Sequence, residues 1–515
     1  MLFNSFSFLL LFFPITALVF FWIAKKNNHM AATWLALASL FFYGWWSVQY
    51  IPLLLASIGF NYWAAWQIGH ATGKARSRWL AFAVIADLSL LAYFKYADFF
   101  ITSINVIAHA NLPVLHVILP IGISFFTFTQ IAFLVDTYQR KVSEYRFTHY
   151  LLFITYFPHL IAGPVLHHKE MMPQFDEAKT YRFSMANMAV GLTIFTIGLA
   201  KKVLIADNLA PHATFFFDKT DGPTFLIAWG GVMAYAFQLY FDFSGYSDMA
   251  IGLSRIFGIC LPLNFNSPYK SVNIIEFWRR WHITLSRFLR DYLYVALGGN
   301  RKGPIRRYVN LMMTMLLGGL WHGAGWNFVI WGALHGCYLM LNHAWIGLAD
   351  FLRFPRSSFV WNWLSIWLTF ISVCFAWVFF RATDFSRAME IVKAMLAMSG
   401  IGIPESIGAY LGSWKPILEK YGVNFYLGGG SRFIQTYAWV IAAAWIAFLM
   451  PNTQQIMDRF QPALDYISKT DRATGRLSSQ VHWLPNRRSA VCIGILLLFC
   501  LLSLTRPAEF LYFQF

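Results

Sequence analysis

The sequence predicts an all-α, polytopic transmembrane helical bundle with roughly 11 to 14 membrane segments, some of them re-entrant or interfacial. Of its 515 residues, 58% are hydrophobic and 12% are charged, whereas a soluble domain has about 25% charged residues. Several stretches without charge are long enough to cross a hydrocarbon core of ~30 Å, among them Phe6–Ala24, Ala31–Ser47 and Tyr50–Ile68. We expect residues 1–515 to form a single integral-membrane domain.

The hydrophobic runs give candidate spans in chain order, and the charges between them give an orientation. The runs lie near residues 7–24, 31–46, 50–67, 79–96, 113–135, 150–166, 188–205, 222–241, 245–260, 309–321, 327–346, 357–380, 433–451 and 489–505. Short cytoplasmic loops carry an excess of lysine and arginine. Lys25–Lys26, Lys74–Arg78 and the strongly basic loop Arg255–Arg307 therefore fall inside if the N-terminus lies outside. Residues 400–430 are expected to form an exposed outer loop with short helices.

Composition also argues against some classes of function. The net charge of +17 does not indicate nucleic-acid binding, because the basic residues are spread over short loops between spans. The cysteines lie in or beside apolar segments without metal-ligand spacing; they are Cys260, Cys337, Cys374, Cys492 and Cys500. We therefore expect no metal site and no bound cofactor.

The basic segment Ile274–Val295 has the pattern of one amphipathic helix. Glu276 to Arg280 and Arg287 to Asp291 are i,i+4 pairs that would support it. One interpretation is an interfacial helix whose arginines are held by lipid phosphates. The other is that the arginines bind a soluble polyanionic donor, since a guanidinium can hold two phosphate oxygens. The candidate donor-binding residues are Trp278, Arg279, Arg280 and Trp281.

His322 is the most conspicuous ionisable residue of the apolar part of the chain. It follows Trp321 in a glycine-rich run, and its helix is expected to begin near Asn310. Twelve residues at 1.5 Å each would place it ~18 Å into the membrane. A neutral imidazole at this depth could act as a general base, or it could be a buried histidine whose ring binds a backbone carbonyl. For His335, in the run WGALHG, we favour a structural role.

A second polar island lies at residues 238–248, where acids, serines and tyrosines interrupt an apolar run. We expect two spans to meet at Ser244–Gly245, because non-helical backbone within a membrane must be covered by protein or line a cavity. The island could be a hydrogen-bonded helix junction, which we favour for its two aspartates. It could also be the wall of a funnel for a sugar-like acceptor, formed by Gln238, Asp242, Ser244 and Tyr246.

Three long motifs carry a family resemblance. The runs YFDFSGYSDMAIGL (Tyr240–Leu253), EFWRRWHITLSRFLRDYLYVALGGNR (Glu276–Arg301) and LLGGLWHG (Leu316–Gly323) closely resemble the membrane-bound O-acyltransferase (MBOAT) family. Within the family they are similar to the bacterial branch typified by the alginate O-acetyltransferase membrane subunit, which also includes proteins that serve peptidoglycan and cellulose O-acetylation. LPIGISFF (Leu119–Phe126), FPHLIAGPV (Phe157–Val165) and the terminal FLYFQF (Phe510–Phe515) match the same branch.

The resemblance implies a function, a site and partners. A bacterial inner-membrane enzyme would take an acetyl group from a cytoplasmic thioester, acetyl-CoA, and pass it across the membrane for O-acetylation of an exported polysaccharide such as alginate. The family's invariant histidine falls on His322 and a second family histidine on His282, within a catalytic core at about residues 230–345. The expected partners are membrane lipids, the polysaccharide acceptor and a periplasmic transferase of the SGNH-hydrolase type.

Two alternatives remain at this point. A related family member transfers D-alanine from a carrier protein to teichoic acid, so the acyl group could be D-alanyl rather than acetyl. A transporter or flippase for a lipid-linked sugar would also place polar residues along a path through the membrane. That class predicts two similar halves with paired polar breaks, and the sequence shows no halves of this kind.

Overall fold

The structure is a computed structural model that describes residues 1–142, 146–161, 163–356, 358–464, 466, 482–504 and 511. Within them, fourteen α-helices have 12 or more residues: α1 (Phe13–Ala24), α2 (Asn28–Ser47), α3 (Ile51–His70), α4 (Gly73–Leu91), α5 (Ala97–Ala108), α6 (Ile123–Tyr138), α7 (Met185–Ala200), α8 (Asp207–Lys219), α9 (Phe225–Ile256), α10 (Gly303–His322), α11 (Trp326–Phe351), α12 (Phe359–Arg381), α13 (Gly430–Leu449) and α14 (Arg487–Ser503). The predicted all-α bundle is confirmed.

Shorter elements join these helices. The short α-helices are Phe147–Thr155, Phe157–Leu160, His168–Met171, Ile274–Arg280, Ile283–Phe288, Phe385–Met395, Glu405–Gly408, Trp414–Lys420 and Thr453–Ile456. π-Helical turns lie at Ser7–Phe12, Ala92–Tyr96, Lys201–Ala206 and Leu289–Tyr294, and 3₁₀ turns at Val48–Tyr50, Met172–Phe175, Ala178–Tyr181, Pro268–Lys270 and Asp458–Phe460. The predicted loop 400–430 has its short helices, and it also holds two parallel strands, β1 (Ile401–Pro404) and β2 (Val423–Tyr426).

Six helical stretches are long and apolar enough, by length and composition, to cross a membrane. They are Ser7–Ala24, Asn28–His70, Gly73–Ala108, Met185–Lys219, Phe359–Arg381 and Gly430–Leu449. The chain is therefore a multi-pass membrane protein, as predicted. Its surface agrees, since many leucine, tryptophan and phenylalanine side chains on these helices are exposed. Lipid tails can cover such side chains.

Two predicted spans of the first half are wrong. The run 113–135 becomes helical only at Ile123, because the preceding segment is held outside a helix, with His116 and Gly122 in the left-handed region. The Asp98 carboxylate accepts hydrogen bonds from the backbone N–H groups of Leu115 and Val117 there. The run 150–166 is divided into two short helices on either side of Tyr156, which is not helical. Proline at the second helix's N-terminus suits such a restart.

The predicted break at Ser244–Gly245 is also wrong, because α9 runs through it without interruption. Gly245 instead allows α9 to pack closely against α7. A Cβ atom at Gly245 would lie 2.7 Å from the carbonyl oxygen of Gly198 on α7, and one at Gly252 would lie 2.6 Å from that of Gly191. Small residues allow this backbone-to-backbone packing in membrane bundles.

The basic segment is broken where one helix was predicted. The helix Ile274–Arg280 ends before His282, whose φ of 41° is left-handed, and a second helix begins at Ile283. The N–H of Ile283 donates to the carbonyl of Asn264 rather than within the helix. The predicted pair of Glu276 and Arg280 is present at 2.7 Å.

The second predicted pair of the basic segment is wrong. Arg287 binds Glu170 at 2.7 Å, and Asp291 binds Arg290 at 2.7 Å. Tertiary contact with the segment around Glu170 therefore replaces the i,i+4 pair that a continuous helix would have formed.

Candidate active site

His322 is the last residue of α10, which forms a closely packed hairpin with α11. A Cβ atom at Gly319 would lie 2.2 Å from the carbonyl oxygen of Phe328, so only glycine permits this approach. The helix ends because Gly323 is extended. The buried imidazole of His322 lies edge-on to Trp321 and Trp331, with ring centroids 5.0 and 5.1 Å away. Its position is therefore fixed by aromatic packing.

His282 also packs against Trp321. Its ring is buried, 6.5 Å from the Trp321 ring between centroids. Nδ1 of His282 is 3.1 Å from Oδ1 of Asn264, and the same oxygen accepts a 2.9 Å hydrogen bond from the hydroxyl of Thr284. The left-handed turn thus brings the two histidines of the distant motifs to one indole ring.

A cavity of about 160 Å³, which we call the Lys95 cavity, reaches His322. Its wall also includes Trp46, Lys95, Ser124 and Trp321. Two of these residues are far along their helices from the basic loops. Trp46 lies near the far end of α2, which begins just after Lys25–Lys26, and Lys95 lies more than twenty residues beyond the basic residue Lys74. The Lys95 cavity is therefore near the end of the bundle opposite to the basic loops.

A second cavity, of about 250 Å³, is bordered by the basic segment, and we call it the Trp278 cavity. Its wall combines the cationic side chains of Arg290 and Arg307 with apolar side chains of α10, those of Leu311 and Met315. A cavity with cationic groups along one part and an apolar remainder suits a ligand with phosphates and a long, weakly polar arm.

A row of packed indole rings links the walls of the two cavities. Trp278 lines the second cavity, its ring centroid is 5.8 Å from that of Trp331, and Trp331 in turn is 5.1 Å from His322. His335 is fully buried beside both indoles, 5.0 Å from Trp278 and 4.8 Å from Trp331. Neither ring nitrogen of His335 has a hydrogen-bond partner among the residues that the structure describes.

The other candidate donor-binding residues do not line the Trp278 cavity. Trp281 is buried against Phe265 and Trp377, Arg280 binds Glu276, and Arg279 is exposed. Arg307, Lys95 and Ser124 line the cavities but were not candidates from the sequence. For Lys95 a signal was available, since a lone lysine in the apolar run AYFKY is unusual for membrane-spanning sequence.

The polar island lies away from both cavities. Asp242 binds Lys202 at 2.6 Å and accepts a hydrogen bond from the N–H of Leu511, which is the one described residue of the terminal FLYFQF motif. Tyr246 stacks on Phe3 with centroids 4.6 Å apart. Gln238 and Ser244 are buried within the bundle. None of these four candidate funnel residues is part of the wall of either cavity.

Comparison with known proteins identifies the family of this chain. A sequence model of the membrane-bound O-acyltransferase family matches residues 19–381. The chain is 40% identical over 543 aligned positions to a peptidoglycan O-acetyltransferase of Helicobacter pylori, covering 100% of this chain and 98% of that protein. It is 38% identical over 543 positions to a Pseudomonas aeruginosa protein named "Probable alginate O-acetylase AlgI", with 100% of each chain covered.

More distant similarity extends to D-alanyl transfer. A teichoic acid D-alanyltransferase of Bacillus subtilis is 29% identical over 280 positions, which cover 52% of this chain and 69% of that protein. The fold and the histidine-centred cavities define a polytopic membrane enzyme. The chain belongs to the membrane-bound O-acyltransferase family and is an O-acyltransferase.

Proposed function

We propose that this enzyme takes an acetyl group from acetyl-CoA in the cytoplasm and passes it through the bacterial inner membrane for O-acetylation of an exported polysaccharide. The observation that carries the proposal is the position of His322. It lines the Lys95 cavity at the end of α10, a helix that begins beside the basic loop. The ring of His322 contacts Trp331, which in turn contacts Trp278 in the wall of the cavity that the basic loop borders.

The donor side of the proposal is the Trp278 cavity. The basic segments lie inside and the N-terminus outside by the positive-inside rule, so Arg290 and Arg307 face the compartment that contains acetyl-CoA. Guanidinium groups bind phosphate oxygens, and the apolar wall from α10 suits the thioester-bearing arm. Of the residues proposed from sequence for donor binding, Trp278 occupies the inner wall of this cavity.

The chemistry is acyl transfer to a hydroxyl group, with His322 as general base. The acceptor hydroxyl oxygen attacks the thioester carbonyl carbon while the imidazole takes the hydroxyl proton, and the carbonyl oxygen becomes an oxyanion. When the intermediate collapses, the carbon–sulfur bond breaks and the thiolate leaves with a proton returned by His322. His282, held by Asn264 beside Trp321, is proposed as the second catalytic histidine.

The acceptor side is proposed from the relatives. Those with full-length similarity are named for peptidoglycan and alginate O-acetylation, and an alginate-type exopolysaccharide is our proposed acceptor. The polymer is too large for the Lys95 cavity of about 160 Å³, so a periplasmic transferase of the SGNH-hydrolase type is proposed to receive the acetyl group and complete the transfer.

The test combines enzymology with topology. Purified protein should hydrolyse radiolabelled acetyl-CoA or become labelled by it, because water can replace the acceptor hydroxyl, and D-alanyl thioester should be a poor donor. Single cysteines introduced at Lys302 and Gly429 in a cysteine-free background should differ in intact cells, position 429 reacting with a membrane-impermeant maleimide and position 302 not. Labelling of position 302 from outside, or a protein that neither hydrolyses acetyl-CoA nor is labelled by it, would overturn the proposal.

A further inference from the structure

Lys95 lies at the mouth of the His322 site in an unusual backbone setting. It belongs to the π-helical turn Ala92–Tyr96 between α4 and α5, and such turns occur often at functional sites. Its ammonium nitrogen is 2.5 Å from the carbonyl oxygen of Trp321, 3.3 Å from that of His322 and 3.3 Å from the hydroxyl of Ser124. The Lys95 side chain therefore lies directly against the backbone of Trp321 and His322.

The charge of Lys95 has no carboxylate partner among the residues that the structure describes. Two other lysines of the bundle differ in this respect. Lys201 binds Asp248 at 2.6 Å, and Lys202 binds Asp242 at 2.6 Å and Asp207 at 2.8 Å. A cation within apolar surroundings is costly unless it is compensated. Lys95 instead binds neutral carbonyl and hydroxyl oxygens on the wall of a cavity.

Part of the function of Lys95 is to hold the end of α10. The last carbonyl groups of a helix have no partners within the helix, and cations stabilise this negative end. Lys95 binds the carbonyls of the last two residues, and the neighbouring Tyr96 hydroxyl donates a 2.9 Å hydrogen bond to the carbonyl of Leu320. Two adjacent side chains thus fix the three residues that end with His322.

We propose that Lys95 is a further catalytic residue, whose ammonium group stabilises the oxyanion formed during acyl transfer. The proposal rests on the function proposed above. When the hydroxyl oxygen bonds to the thioester carbon, the carbonyl π electrons move onto oxygen, and that charge is lost again when the thiolate leaves. The two 3.3 Å contacts of Lys95 are long, so the ammonium can exchange one of them for the oxyanion.

The test separates charge from position. Lys95→Gln keeps hydrogen-bond donors without the charge, and Tyr96→Phe is the matched control that removes only the neighbouring carbonyl contact. We expect Lys95→Gln to lower kcat for acetyl-CoA hydrolysis by about 10²–10³-fold with KM nearly unchanged, as for loss of an oxyanion donor. Tyr96→Phe removes one neutral contact to the end of α10 and keeps the Lys95 ammonium, so it should lower kcat by no more than about tenfold.

Chemical rescue keeps the proposal falsifiable if Lys95→Gln folds poorly. Lys95→Cys treated with 2-bromoethylamine carries an ammonium at nearly the same distance from the backbone, and it should regain activity, with treated wild type as the control. Wild-type kcat in Lys95→Gln, or no rescue after modification confirmed by mass spectrometry, would overturn the proposal. The two proposals can fail separately. If modified Lys95→Cys regained activity and His322→Ala were fully active, the general-base role of His322 would be contradicted while the oxyanion role of Lys95 would be supported.

Discussion

Two clusters of polar residues lie within this apolar bundle, one around Asp242 and Asp248 on α9 and one at the end of α10. In the first cluster every described carboxylate binds a lysine, and Asp248 also accepts hydrogen bonds from Thr453 and Gln454. In the second, His322 and Lys95 line a cavity, and the Lys95 ammonium has no carboxylate partner among the described residues. Internal compensation indicates a structural role, whereas polar groups that line a cavity are available to a substrate.

The largest expected difference between the clusters is in catalysis. His322→Ala should reduce acetyl transfer by about 10²–10⁴-fold, the usual loss when a general base is removed. His335→Ala, which removes a buried imidazole of the same helical hairpin, should retain most of the activity, because His335 lines neither cavity. Both are measured as acetyl-CoA turnover per folded molecule after size-exclusion chromatography. Equal losses in the two variants would contradict the catalytic role proposed for His322.

The paired cluster should respond in stability rather than in chemistry. Lys202→Met leaves Asp242 and Asp207 without their cation, and breaking one side of a buried ion pair destabilises a protein by about 3–5 kcal/mol. We expect a large fall in the thermal unfolding temperature in detergent, partly reversed in Lys202→Met/Asp242→Asn, where one uncompensated carboxylate has been removed. Turnover per folded molecule should remain near wild type. A selective loss of turnover would instead give the cluster a catalytic role.

The smallest expected effect concerns the donor. Arg290→Gln/Arg307→Gln should raise KM for acetyl-CoA by about twofold to fivefold, since each partly exposed charge contributes about 0.2–1 kcal/mol, with kcat little changed. Arg279→Gln/Arg280→Gln is the matched pair from the same basic region that does not line the Trp278 cavity. A larger KM increase for the second pair would place the donor against Arg279 and Arg280 of the helix Ile274–Arg280.

The sequence was sufficient where structure depends on composition alone. Long uncharged runs predicted α1, α2 and α3, because a membrane span needs only length and apolarity. It was insufficient where a distant residue decides the conformation. The left-handed turn at His282 is held by Asn264, which is distant in sequence. Gly245 belongs to an unbroken α9 and packs closely against Gly198 of the neighbouring helix. Glycine within an apolar run is compatible with a break and with close packing, and only the neighbouring helix distinguishes them.

The same limit applies to the site. The expected depth of His322 and the family resemblance of both motifs made His322 and His282 candidates. The sequence did not show that both rings contact Trp321, since the two motifs are joined only by the fold. Arg307 was not selected because it is one of many basic residues in its loop. The lone lysine of the run AYFKY was a signal, but the sequence does not show what Lys95 faces. What distinguishes them is the cavity wall and, for Lys95, the absence of a nearby carboxylate among the described residues.

The indoles of Trp278 and Trp331 have a consequence for the energetics of the cell. A bilayer that stores a proton gradient tolerates no continuous column of water, because protons would pass along it and discharge the membrane voltage. Between the two cavities the rings of Trp278, Trp331 and His322 follow one another at centroid distances of 5.8 and 5.1 Å, and Trp331 is 1% exposed. For the acetyl transfer proposed above, these packed rings would insulate the membrane between the Trp278 cavity and His322.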